Sequence, residues 1–224
     1  MPLTSLDINS PWSLSNIEAR SADLAGPLRA FLETVCAEPC VHARFLNMLS
    51  LLEHIGSRKI MTSQARGALG CEVLKHLSEE ARHAFFFKRQ AERIAGSTLE
   101  YTELDTMAPT PAKMYFGRLD AGIAKRLPAD IHGEVPYLYV TMIVELRAIW
   151  AYTLYQEVLS RSDAGFSLKS VLAEEELHLP QMQNRLHELN EDLSRRVPDF
   201  ARLEDSLFRG LWQAMQNAAA PSVH

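Results

Sequence analysis

Cysteine is scarce in this chain of 224 residues, and the three present, Cys36, Cys40 and Cys71, cannot all pair with one another. Cys36 and Cys40 lie one helical turn apart, a spacing open to a metal or redox pair. Reduced, partly buried thiols in a cytoplasmic protein are the simpler expectation. No run approaches the roughly 18 apolar residues that span a bilayer, so no membrane segment is expected. Met1 to Ser10 has neither the basic region nor the apolar stretch of a signal peptide, which fits the same location. Basic residues are outnumbered, 23 Lys and Arg against 28 Asp and Glu, and the formal net charge is -5. Nucleic acid, which needs a basic footprint, is therefore not an expected partner. Strand-like alternation is missing too, so the chain reads as all-α.

What is present is enough for one sizeable core: 25.2 kDa with 47% hydrophobic residues. Residues 1–26, with Pro2 and Pro11, read as an irregular N-terminal arm, and residues 27–218 as a helical bundle followed by a short tail, 219–224. Pro27 suits a first helical turn. Pro39 then kinks the stretch or splits off a long helix that reaches about Ser63. A second long helix is expected from about Gly67 to Ile94, stopping at Gly96. Residues 97–131, with Pro109, Pro111 and Pro128, form a long crossover carrying one short helix near 112–125. A third helix spans about Val135 to Leu159 and a fourth about Phe166 to Leu193, bent near Pro180. Phe200, Leu203, Leu207, Leu211 and Trp212 stand at helical spacing in a last amphipathic segment, 198–216.

Two strings stand 95 residues apart: Leu77-Ser78-Glu79-Glu80-Ala81-Arg82-His83 and Leu172-Ala173-Glu174-Glu175-Glu176-Leu177-His178. Glu53 precedes Glu80 by 27 residues and Glu145 precedes Glu175 by 30, each inside a strongly apolar run. A single Glu-x-x-His is worth nothing, since about one is expected by chance in a chain like this. Two copies with a common prefix, each trailing a glutamate among leucines and valines, are a different matter. An ionised glutamate next to Leu51, Leu52, Val144 or Leu146 needs a partner. In Glu-x-x-His the i, i+3 spacing sets both side chains on one helix face, aimed at one ion. Four glutamates and two histidines in this order are the ligand set of a di-metal carboxylate site in a four-helix bundle. The midpoints of the two glutamate pairs fall at Arg66-Gly67 and at Ser160, close to expected turns. Both pairs would then lie at similar depth, roughly 17 to 20 Å from their turns.

Other residues surround this set. Glu79 and Glu174, just before the metal glutamates, are candidates to accept the histidines' other N–H. His76, at i−4 from Glu80, shares its face; it is a third nitrogen ligand or a donor to one, but an ordinary core or surface histidine is the simpler expectation. His54 points away, and His42, His132 and His187 show no partner. Gly56 and Ser57 leave room beside Glu53, for dioxygen or substrate or for close helix packing. Phe85, Phe86 and Phe87 read as core; Tyr152, two turns after Glu145, is placed to approach the site, with plain packing the simpler expectation.

On Glu53, Glu80, His83, Glu145, Glu175 and His178, over residues 40–190, the chain resembles the ferritin-like superfamily, specifically its di-iron carboxylate proteins. The resemblance implies a ferritin-like four-helix bundle with two iron ions that react with dioxygen or peroxide; manganese or a mixed Mn/Fe pair also suits these ligands. Ribonucleotide reductase small subunits place a radical tyrosine one turn after the first motif's histidine, where this chain has Phe87. Ferritins and bacterioferritins are shorter and lack an arm and crossover of this length, which look more like those of oxygenase branches. Arylamine N-oxygenases carry an added histidine one turn before a metal glutamate, as His76 stands before Glu80, but in their last motif. Aldehyde-deformylating and tRNA-hydroxylating branches are of similar size. The implied activity is a dioxygen-activating oxygenase or oxidase of a small organic substrate, fed by a separate electron donor, with a homodimer as a fair expectation. Iron oxidation or storage, peroxide removal, and a non-catalytic scaffold are the alternatives.

Overall fold

The computed structural model describes residues 14–63 and 70–220, so the first thirteen residues, the turn expected at Arg66-Gly67 and the last four residues lie outside it. The described residues form eight helices and no strand: α1 (Leu14–Arg20), α2 (Ala22–Ala37), α3 (Pro39–Ser63), α4 (Cys71–Ala95), α5 (Pro109–Arg126), α6 (Val135–Leu159), α7 (Lys169–Glu188) and α8 (Leu193–Ala219). No helix among them is long and apolar enough to cross a membrane.

The expected arm is helical from Leu14 onward. Pro27 does not open a helix but lies inside α2. The reason is an apolar stripe, Leu24, Leu28, Leu32 and Val35, that begins before the proline and is buried throughout. Pro27 itself sits on the exposed face, where water can satisfy the carbonyl that its missing N–H leaves free. Pro39 does begin a new helix, α3. Helix α4 ends on Gly96, whose φ of 69° places it in the left-handed region and whose N–H bonds the Glu92 carbonyl at 2.9 Å. The expected fourth helix is cut shorter, at Glu188, because Asn190 adopts φ 59° and Glu191 N–H turns back to the Leu186 carbonyl at 3.0 Å. Helix α8 then starts before Pro198 rather than at it and runs on to Ala219, three residues beyond the expected end and into the segment read as tail.

Helices α3, α4, α6 and α7 carry the glutamates. Asn47 meets Lys88 at 3.0 Å and Ser50 meets the Ala84 carbonyl at 2.7 Å, so α3 and α4 run in opposite directions. Arg82 meets Glu174 at 2.6 Å while Glu79 meets His178 at 2.9 Å, which makes α4 and α7 antiparallel too. Helix α6 is apolar all round and central: residues on every side of it, from Tyr137 to Leu159, are buried. The crossover is irregular over 97–108 yet tied down. Asn47 Nδ2 donates to the carbonyls of Glu100 (2.8 Å) and Asp105 (3.0 Å), and Met107 N–H donates to the Arg44 carbonyl at 3.0 Å. This anchoring lays α5 against α3, α6 and α8. Phe86 and Phe87 pack inward as expected, but Phe85 is 63% exposed with Arg89 over its ring. All three cysteines are free; Cys40 and Cys71 are exposed rather than partly buried.

Candidate metal centre

Glu53 from α3, His76, Glu80 and His83 from α4, Glu145 from α6, and Glu175 and His178 from α7 converge in the interior, none more than 7% exposed. Their ligand atoms fall into two groups, within each of which all lie inside 4.8 Å of one another. One group is His76, Glu80, Glu145 and His178; the other is Glu53, Glu80, His83 and Glu175. Glu80 belongs to both, as a carboxylate bridging two cations would.

The approaches are close without being hydrogen bonds. His83 Nδ1 lies 3.0 Å from Glu175 Oε1, His178 Nδ1 lies 3.4 Å from Glu175 Oε2, and His76 Nε2 lies 3.0 Å from Glu145 Oε1. Among the described residues, nine buried side-chain atoms lack a hydrogen-bond partner, and seven of them are here: His76 Nε2, Glu80 Oε1, His83 Nδ1, both oxygens of Glu145, Glu175 Oε2 and His178 Nδ1. Buried polar atoms are almost always satisfied, and an orphan costs about 1–3 kcal/mol. Seven orphans facing a common interior are compatible with a metal site, whose donors would be carboxylate oxygen and imidazole nitrogen.

The other side of each ring is fixed. His83 Nε2 lies 2.7 Å from Glu174 Oε2, and His178 Nε2 lies 2.9 Å from Glu79 Oε2. Each motif's histidine thus donates to the acid of the other motif, leaving Nδ1 to face the interior. His76, open in the sequence between a third nitrogen ligand, a donor to one and an ordinary histidine, lies in the first group: its Nδ1 is 3.1 Å from the Tyr137 hydroxyl while Nε2 faces Glu145. Its ring lies 4.2 Å from that of His178.

Electrostatics follow from burial and crowding. Burial opposes a proton on each imidazole, but the facing glutamates override it. Glu145 and Glu80 raise His76 to about 9, Glu175 and Glu53 raise His83 to about 10, and Glu145 and Glu175 raise His178 to about 11. Burial, with Glu80 and Glu175 nearby, pushes Glu53 well above the usual carboxylate range. Glu175, set between His178 and His83, is held down at about 2 in spite of its burial. Without metal, the interior balances itself with protons on its rings.

Two tyrosines adjoin the candidate ligands, and the sequence marked only Tyr152 as one that could approach them. The Tyr152 hydroxyl donates to Glu53 Oε1, so this tyrosine faces the site instead of merely packing. Tyr137 holds His76. The signal was their position at i+7 and i−8 from Glu145, on its face of α6. Gly56 has a definite role as well: a Cβ there would stand 3.0 Å from Glu80 Oε2, so the glycine makes room for that carboxylate. His54 is peripheral, stacked on Tyr101. His42, which showed no partner in the sequence, is buried with Nε2 2.5 Å from the Tyr155 hydroxyl, remote from the convergent set.

A cavity of about 110 Å³ abuts the site. Glu53, Glu80, Glu145 and Glu175 line it together with apolar side chains of α2, α3, α5, α6 and α8. Comparison with known proteins adds no relative: no family model, no curated protein and no solved structure matches the chain.

Proposed function

We propose that this chain is a ferritin-like four-helix-bundle protein whose α3, α4, α6 and α7 hold two iron ions, and that it is an oxygenase or oxidase of a small organic substrate. The observation carrying this reading is the convergence of seven buried residues into two groups that share Glu80, six of them with unsatisfied side-chain atoms. Iron so held would supply the redox change needed to activate dioxygen. The chain supplies the rest. Four buried carboxylates match the charge of two divalent cations, which is how so many acids can be kept from water. Glu79 and Glu174 orient two of the rings, and Tyr152 restrains Glu53. His76 gives the first group two imidazoles against one in the second, so the two positions are unequal. The apolar cavity favours an organic molecule over ferrous iron as the substrate, because a cation in transit needs polar walls. Electrons for repeated turnover come from a separate donor in this reading.

The test is anaerobic loading with ferrous iron followed by air. A di-iron oxygenase or oxidase takes up about two irons per chain, changes its absorption on exposure, and does not go on oxidising excess ferrous iron to mineral. Sustained mineral formation would move the reading to iron oxidation and storage. Absence of metal uptake would leave a scaffold.

A further inference from the structure

The cavity beside the carboxylates has a one-sided chemistry. Its wall on α3 is a helical stripe, with Phe45, Met48, Leu49 and Leu52 on the same face as Glu53 and Gly56. Val144, Ala148 and Ala151 continue it on α6, on the face of Glu145. The small alanines and Gly56 are what keep the space open.

Polar groups that line the space are already engaged elsewhere. The Tyr115 hydroxyl donates to Glu204 at 2.9 Å, and Arg147 forms a two-pronged pair with the same carboxylate at 2.8 Å. The Tyr155 hydroxyl meets His42, and Tyr152 donates to Glu53. Lys59 is taken by Asp120 at 2.5 Å, in a pair that is about a third exposed. Apart from the carboxylates that face the candidate metals, the Thr141 hydroxyl and the remaining N–H groups of the already paired Lys59, the wall offers no unpaired charge to anchor a charged ligand. A charge brought here would lose its hydration with little in return. Dispersion and apolar burial are what remain to hold a guest.

We propose that this cavity binds an uncharged hydrocarbon group, of about the size of a benzene ring, and delivers it to the carboxylate cluster. Its volume, about 110 Å³, is near the roughly 150 Å³ of an apolar cavity that takes up benzene. The proposal rests on the di-metal reading for the purpose of the binding and for the exclusion of cations, since metals must occupy the four lining carboxylates, while the apolar wall stands without it. Substrates that carry a carboxylate, phosphate or ammonium on the reacting group are excluded from the pocket.

Methyl-resolved NMR of the full chain tests this with benzene and benzoate as probes. Benzene should shift the methyl signals of Ala148, Ala151 and Val144 saturably, at least about tenfold more tightly than benzoate. Ala148→Phe, and separately Ala151→Phe, should weaken benzene binding by about tenfold or more by filling the space, with metal content per chain unchanged. Benzoate binding as tightly as benzene, or benzene shifts confined to methyls elsewhere, would overturn the proposal whether or not either variant folds. Benzene binding to protein that takes up no metal would sink the di-metal reading and leave the pocket assignment standing. Metal uptake without benzene binding would do the reverse.

Discussion

Glu80 offers oxygen to both groups of ligands, and the room for its carboxylate comes from a missing Cβ across the helix interface at Gly56. This makes Gly56→Ala an informative change with opposed effects. Alanine favours a helix interior over glycine by about 1 kcal/mol, so metal-free protein should melt no lower than the parent. Its metal content should nevertheless fall, because the new methyl and the Glu80 carboxylate compete for one space. A variant with full metal content would show that Glu80 does not need that position. Protons at the histidines give a second prediction. With His76, His83 and His178 raised to about 9, 10 and 11, the rings carry protons at neutral pH in the metal-free protein. Metal must displace them, so apparent affinity should climb as pH rises from 6 towards 9, with proton release visible in calorimetry across buffers of different ionisation heat. The same shifts fix the sign for stability without metal. Their contribution is complete below the ordinary histidine value and is lost as pH rises through about 9 to 11. Metal-free protein should therefore be less stable at pH 10 than at pH 7 in urea titrations.

At the scale of helices, legibility followed how much of a segment's fate its own residues decide. Helix α6 was readable to the residue, Val135 to Leu159, because Pro136 stands in its first turn and a predominantly apolar run fills it. The Gly96 stop was equally plain. Prolines misled in α2 and α8: Pro27 and Pro198 look like starts, yet tertiary burial of Leu24 and of Leu193 and Val197 extends both helices past them. Nothing in the sequence paired Arg147 with Glu204. Both are buried, bonded at 2.8 Å, with Tyr115 and Asp205 joining from α5 and α8 and Ser21 from the α1–α2 junction. Such contacts join positions 57 or more residues apart, and no local pattern announces them. Breaking this latch leaves a buried guanidinium short of its partner, so Glu204→Ala should lower unfolding free energy by about 3 kcal/mol in chemical denaturation. A loss under half that size would mean water or Asp205 fully replaces Glu204.

For the molecule as a whole, the six candidate ligands read from two Glu-x-x-His strings and two lone glutamates are brought together by four helices. That much was legible because an acid buried in an apolar run needs a reason. Tyr137 was not, and His76 and Tyr152 were legible only as alternatives, since tyrosine and histidine fit packing and metal sites equally well at the same helical positions. The cavity depended on α2, α5 and α8, whose placement no spacing rule fixes. Metal binding by the folded state alone would also stabilise it, by about 2.7 kcal/mol at a hundredfold excess over the dissociation constant. The decisive measurement is the metal content of protein purified from iron-replete cells, for the parent chain and for Glu53→Ala, Glu145→Ala and His42→Ala. Two ions per chain are expected in the parent and in His42→Ala, with a sharp fall in both glutamate variants. Folded parent protein with no metal, or glutamate variants that keep both ions, would contradict the account.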